Sequence, residues 1–145
     1  MIDPTSGTWT AGVHHLPVRV YYEDTDFTGV VYYANYLKFL ERGRTDALRA
    51  AGVSHSDLLA LEPQLGFAVR KITVEYLSPA RIDDALIVET AFTTAKGARM
   101  VISQRIVRGD DVLITAEVEA ACIDMEGRPR RLPIAAVAAI EAVGG

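Results

Sequence analysis

Apolar and polar positions alternate with two different periods along this 145-residue chain. From His15 to Tyr22 the period is two. Val18, Val20 and Tyr22 can share one face and Arg19 and Tyr21 the other, which predicts a strand. From about Tyr33 to Ala51 the period lengthens to that of a helix. Tyr36, Leu40, Gly43 and Ala47 form one row, and Leu37, Arg44, Leu48 and Ala51 the adjacent one. Gly52 stands where a C-terminal cap belongs, and the helix spans about 28 Å. Gly43 in its middle costs about 1 kcal/mol relative to alanine, so it predicts close approach by another element, here a sheet. The run "SHSDLLALE" reads as a short second helix capped by Ser54 or Ser56. Beyond it the period returns to two in "FAVRKITVEYL", "ALIVETAFTTA", "RMVISQRIV" and "VLITAEVEAACID". The tight turns at Lys96-Gly97 and Gly109-Asp111 argue antiparallel hairpins rather than crossover units. The run "IAAVAAIEAVGG" reads as a closing helix.

The expected architecture is therefore α+β: a five-stranded antiparallel sheet wrapped around one long helix, in a single domain over residues 13–145. Residues 1–12, with Pro4, Ser6 and Gly7, read as a flexible lead-in. Composition narrows the function classes. Half the residues are apolar, 23% are charged and the net charge is −4, with no basic stripe to engage nucleic acid. One cysteine, Cys122, excludes an internal disulfide framework and a thiolate metal cluster. The chain shows neither a secretory signal pattern nor an apolar run near the roughly 20 residues of a membrane span, so a cytoplasmic protein is expected.

The chemistry concentrates in "VRVYYEDTDFTGVVYYANY", Val18 to Tyr36. Three readings fit Glu23, Asp24 and Asp26 there. Acids near a helix N-terminus complement its dipole, which accounts for Glu23 and Asp24. The run "DTDFT" also fits the signature of haloacid-dehalogenase-type phosphatases, but those need a doubly wound parallel sheet, and this chain offers hairpins. Acyl transfer needs a carboxylate and donors for an oxyanion, and a helix start seven residues beyond Asp26 supplies such donors. The apolar surroundings of Asp26, with Phe27, Gly29, Val30 and Val31, argue for an enclosed loop.

The run "YYEDTDFTGVVYYANYLKFLERGRTDAL" resembles the signature of the 4-hydroxybenzoyl-CoA thioesterase family. It is closest to the branch of bacterial acyl-CoA thioesterases associated with the Tol–Pal envelope system. Asp24, Asp26, Gly29, Val30, Val31, Tyr32, Asn35, Tyr36, Glu41 and Arg44 carry the resemblance, which continues through "VEYLSPARIDDALIVET" and "CIDMEGRPRRLP". It implies a hotdog fold, assembled as homodimers or homotetramers with active sites at the subunit interface, and an envelope-system protein as a further partner. It implies hydrolysis of an acyl-CoA to a carboxylic acid and CoA, with Asp26 as nucleophile or general base and the backbone N–H at the helix start, near Tyr33, as oxyanion donor. Some members of the closest branch carry histidine where this chain has Tyr33. The alternative is a non-catalytic hotdog that binds acyl-CoA or a protein partner.

The remaining candidates are assigned by chemistry. Tyr22, Gly29, Val30 and Tyr32 are candidates to shape the substrate pocket. Lys96 and Arg130, in basic turns, are candidates for the phosphates of CoA. Glu41 and Arg44, three apart on the helix, are expected to pair with each other, leaving Glu41 as the fallback carboxylate. His14, His15 and His55 lack metal-ligand spacing and read as surface or packing residues. No metal or cofactor is expected beyond the CoA of the substrate.

Overall fold

The computed structural model describes residues 2, 4 and 6–144. Its elements run β1 (Thr8–Thr10), β2 (Val13–Arg19), a 3-10 turn (Tyr22–Asp24), α1 (Asn35–Ala51), α2 (His55–Leu59), β3 (Leu65–Tyr76), β4 (Ala85–Lys96), β5 (Arg99–Arg108), β6 (Asp111–Asp124) and α3 (Ile134–Gly144). The strands form one sheet in the order β1-β2-β4-β5-β6-β3, and every neighbouring pair is antiparallel. Two-residue connections at Gly97 (φ +63°) and Gly109 (φ +58°) make the hairpins β4–β5 and β5–β6. No helix among the described residues is long and apolar enough to cross a membrane.

Two expectations change. The sheet has six strands rather than five, because Thr8–Thr10, inside the expected lead-in, pairs with Val13–His15. Residues 1, 3 and 5 of that lead-in lie outside the described residues. The hairpin turns at Ala11 (φ +51°) and Gly12 (φ +80°), both left-handed, the backbone that a two-residue turn matching strand twist requires. The strand expected over His15–Tyr22 instead covers Val13–Arg19. Its core face carries His14, Leu16 and, half-buried, Val18, followed by Val20 just beyond the strand. Tyr22 leaves the sheet in the 3-10 turn.

Helix α1 lies on the sheet through Tyr36, Phe39, Leu40, Gly43, Ala47 and Leu48, all buried. Gly43 is the point of closest approach. A Cβ there would stand 2.6 Å from Val88 Cγ1 and 3.1 Å from Thr90 Oγ1, so only glycine admits this helix–sheet distance. Beneath it runs a polar row in register across three strands, His14–Thr90–Gln104. Gln104, buried, donates to the Leu40 carbonyl at 2.9 Å and to Thr90 Oγ1 at 3.0 Å. This row separates two apolar cores. One, around Phe39, Leu86 and Leu113, supports the N-terminal half of α1. The other, around Leu48, Met100 and Ile140, supports its C-terminal half.

Candidate active site

The acidic loop is built by backbone bonds before any side chain matters. Past β2, Val20 donates to the Asp84 carbonyl and accepts from the Asp83 N–H, both at 3.0 Å. The Asp26 carbonyl accepts from the Gly29 N–H at 3.2 Å, and the Asp26 N–H donates to the Val30 carbonyl at 2.9 Å. Gly29 (φ +83°) takes the left-handed conformation that closes this turn. The turn is moored to the segment before β4, through Val31 N–H to the Ala80 carbonyl (2.9 Å) and Ile82 N–H to the Gly29 carbonyl (3.2 Å). The Asp24 carbonyl then accepts twice from the helix entrance, from Tyr32 N–H at 3.0 Å and Asn35 Nδ2 at 2.8 Å. The loop thus folds back on the start of α1.

Asp26 is partly exposed, and its carboxylate is held at one oxygen. Oδ1 accepts from the Thr28 hydroxyl at 2.6 Å and the Thr28 N–H at 2.8 Å. These bonds, the hydroxyl first, hold its pKa below the ordinary carboxylate value. Among the described residues Oδ2 accepts no hydrogen bond, and the Val30 backbone N–H adds a smaller lowering of the carboxyl pKa. Asp24, by contrast, spends its side chain on the local turn, accepting from the Tyr21 N–H at 2.7 Å.

The helix begins at Asn35, two residues beyond the expected Tyr33, with no side-chain cap. Ala34 stands at the cap position and Asn35 is the first helical residue. A turn closed by Asn35 N–H to the Tyr32 carbonyl (2.8 Å) precedes it, and the N–H groups of Tyr33 and Ala34 have no acceptor among the described residues. Beside this entrance lies a cavity of about 270 Å³ lined by Val31, Tyr33, Tyr36, Tyr76, Leu77 and Pro79 with Ser78. Tyr36 is buried, which pushes its phenol pKa up, and its oxygen accepts from the Ala80 N–H at 2.9 Å. Tyr76 stacks edge-on against Tyr33 (6.3 Å) and Tyr36 (5.8 Å).

Tyr33, expected as the oxyanion donor, lines this cavity, whereas none of Tyr22, Gly29, Val30 and Tyr32, the residues expected to shape the substrate pocket, does. Gly29 and Val30 form the Asp26 turn, while Tyr32 packs on Tyr33 with ring centroids 4.9 Å apart. Tyr22 projects outward, 82% exposed, and Phe27 is fully exposed, so this chain alone does not enclose the loop. Tyr76, Leu77 and Pro79 were missed. Their signal lay in "EYLSPA", where two large apolar residues end a strand just before a turn that offers them no core. Lys96 and Arg130 sit at the far end of the sheet. Arg19 pairs with Ala85 at the start of β4, whereas Lys96 ends that strand, about 36 Å of chain away. Arg130 Nε bonds Asp124 Oδ2 at 2.9 Å, and Asp124 also accepts from the Arg128 N–H, which with Arg130 lowers its pKa. Lys96 borders a second cavity of about 480 Å³ with Arg131, Leu132 and Val137.

The expected Glu41–Arg44 pair does not form. Arg44 reaches inward to Gln104 Oε1 at 3.0 Å, and Glu41 accepts from the Thr45 hydroxyl at 2.6 Å. The sheet surface beneath α1 offers Gln104 an amide oxygen that needs a donor, and Arg44 on the inward side of the helix reaches it. His55 Nε2 stands 3.2 Å from Thr45 Oγ1, and His15 Nε2 lies 3.8 Å from Glu89 Oε2. His14 is buried against Asp46, Nε2 to Oδ2 at 3.1 Å, and burial lowers its pKa. Among the described residues no group of histidine, cysteine and acidic side chains is arranged to hold a metal ion.

An antiparallel sheet wrapped on one helix, with a carboxylate loop folded against the helix start, defines the hotdog class. A probable thioesterase from Bartonella henselae has this architecture: it is similar at a TM-score of 0.81 and 45% identity, covering 83% of this chain and 99% of that one. The chain belongs to the thioesterase-like superfamily, whose family model matches residues 20–141. It is 48% identical over 124 residues to the acyl-CoA thioester hydrolase YbgC of Escherichia coli O6:H1, covering 84% of this chain and 91% of that protein. It is 47% identical over 109 residues to the acyl-CoA thioesterase YbgC of Haemophilus influenzae, covering 75% of this chain and 79% of that protein.

Proposed function

We propose that this thioesterase hydrolyses acyl-CoA thioesters, with Asp26 as the reacting carboxylate and the N–H groups at the start of α1 as oxyanion donors. The observation that carries the reading is the Asp26 carboxylate itself: one oxygen is fixed by Thr28 and the other accepts no hydrogen bond among the described residues, in a loop bonded to the helix entrance. We take direct attack by Asp26 on the thioester carbonyl as the route, with activation of water by the same carboxylate as the alternative. Attack by Oδ2 forms an acyl-aspartyl anhydride and expels the CoA thiolate. Water then hydrolyses the anhydride, releasing the carboxylic acid and restoring Asp26. The apolar cavity of Tyr33, Tyr36 and Tyr76 receives the acyl group.

The working form is a homo-oligomer. Strand β3, 12 residues long, ends the sheet with one edge unpaired among the described residues, and Tyr22, Phe27 and Tyr33 stand exposed around the acidic loop. Antiparallel pairing of β3 with a second copy sets the Tyr76 end of one strand against the Leu65 end of the other. Leu65 pairs with Asp124, the partner of Arg130, so this arrangement carries the second copy's Arg130 toward the first copy's cavity. That supports a place for Arg130 in receiving CoA phosphates, which a single protomer does not.

The test is thiol release from acetyl-, hexanoyl-, palmitoyl- and benzoyl-CoA by wild type and Asp26→Asn. Turnover that disappears in the folded variant supports the reading. Turnover retained by Asp26→Asn overturns the assignment of the carboxylate. Silence of the wild type across the panel, with CoA esters still bound, favours a binding module.

A further inference from the structure

The turn entering α1 leaves two consecutive donors, the N–H groups of Tyr33 and Ala34, without acceptors among the described residues, yet the carbonyl between them is taken. Tyr76, on β3, donates its hydroxyl to the Tyr33 carbonyl at 3.2 Å. That carbonyl and the Ala34 N–H belong to one planar peptide and share its resonance, so a bond accepted at the oxygen makes the N–H a stronger donor. Ala34 already has helical backbone angles (φ −72°, ψ −21°), so its N–H is aligned with the orphan donors of the helix. The ring of Tyr76 is held from two sides, by Tyr33 and Tyr36, and the Tyr36 hydroxyl is itself committed to Ala80. The phenol is therefore aimed by packing, from a different element of the fold, at the one carbonyl whose peptide borders both free donors.

We infer that Tyr76 is a positioning residue, which fixes and polarises the Tyr33–Ala34 peptide so that the Ala34 N–H serves as a second oxyanion donor beside that of Tyr33. The inference rests on the reading of Asp26 and the helix entrance given above. It divides the cavity wall by role: Tyr33 and Tyr36 bound the acyl group, whereas the Tyr76 hydroxyl acts through the Tyr33–Ala34 peptide on the thioester carbonyl. The bond from such a donor gains strength as charge develops on the thioester oxygen, so it acts on kcat rather than on substrate binding.

The experiment is Tyr76→Phe, which keeps the ring and removes the hydroxyl. Kinetics are measured on the best acyl-CoA of the panel, and the Ala34 amide is followed by ¹H–¹⁵N NMR in the ligand-free protein. The expected result is a kcat lower by about three- to ten-fold, the effect of losing one ordinary hydrogen bond, at unchanged KM. It is joined by an upfield shift of the Ala34 amide proton as its polarisation falls. An unchanged kcat with an unmoved Ala34 amide overturns the inference. So does a raised KM at constant kcat with that amide unmoved, which would make Tyr76 a wall of the pocket only. The amide shift does not depend on Asp26, so a failure of the carboxylate assignment, read from Asp26→Asn, is told apart from a failure of this one.

Discussion

The two ends of α1 differ in how completely they are sealed. At the C-terminal end, Gly52 (φ +98°) donates to the Arg49 carbonyl at 3.0 Å and Val53 to the Leu48 carbonyl at 2.8 Å, with Val53 and Leu48 packed in one core. The β1 segment straps across the same end: Gly7 N–H donates to Asp46 Oδ2 at 2.8 Å, and the Trp9 indole to the Ala47 carbonyl at 3.1 Å. At the N-terminal end nothing from a side chain caps the helix, two N–H groups point at no acceptor among the described residues, and aromatic rings stand in solvent around a cavity. One helix thus has an end whose polar groups are bonded and an end where some are left without partners among the described residues. The chain tolerates the second because the first, with Gly43 pressed on the sheet, holds the helix in place.

Breaking this division gives opposite signatures at the two ends. The largest effect is expected at the open end: Asp26→Asn lowers thiol release by about 10²–10⁴-fold, the range for loss of a positioned catalytic group, with the far-UV spectrum unchanged. Gly43→Val comes next. It forces methyl groups into Val88 and Thr90, and overpacking costs about 1–3 kcal/mol, read as a lowered denaturation midpoint in urea. Gly52→Ala follows at about 1 kcal/mol, because alanine resists the left-handed cap, and the same urea titration measures it. The smallest is Thr28→Val. Removing the hydroxyl withdraws the main cause of the low Asp26 pKa, so ionisation of Asp26 shifts upward. The acid limb of kcat/KM then moves to higher pH, with the neutral-pH rate nearly kept, and a pH–rate profile shows it.

Much of the sealed end could be read from residues alone. The 3.6-residue period through Leu40, Gly43 and Ala47, the glycine at 52 and the hairpin turns at Gly97 and Gly109 are local signals, and local backbone chemistry decides them. What escaped depends on distant partners. Strand β1 is three residues long, too short for a period, and is held by pairing with β2 and by the bonds of Gly7 and Trp9 to Asp46 and Ala47. Glu41 and Arg44 sit at pairing distance in sequence, but Gln104, sixty positions away from Arg44, offers a buried partner that no spacing reveals. At the open end, the fold-back of the Asp26 loop followed from Gly29 and the helix start. The cavity did not, because Tyr76 and Leu77 come from the far edge of the sheet. Tyr22, expected to shape the substrate pocket, and Phe27, expected to help enclose the loop, are exposed, because nothing else in this chain's fold packs on them.

The measurement that tests the central claim most directly sets the two ends side by side: thiol release and thermal midpoint for wild type, Asp26→Asn and Gly43→Val on the best acyl-CoA. The account predicts that Asp26→Asn loses turnover and keeps its midpoint, while folded Gly43→Val loses midpoint and keeps turnover. An Asp26→Asn protein that still hydrolyses the thioester at the wild-type rate would contradict it.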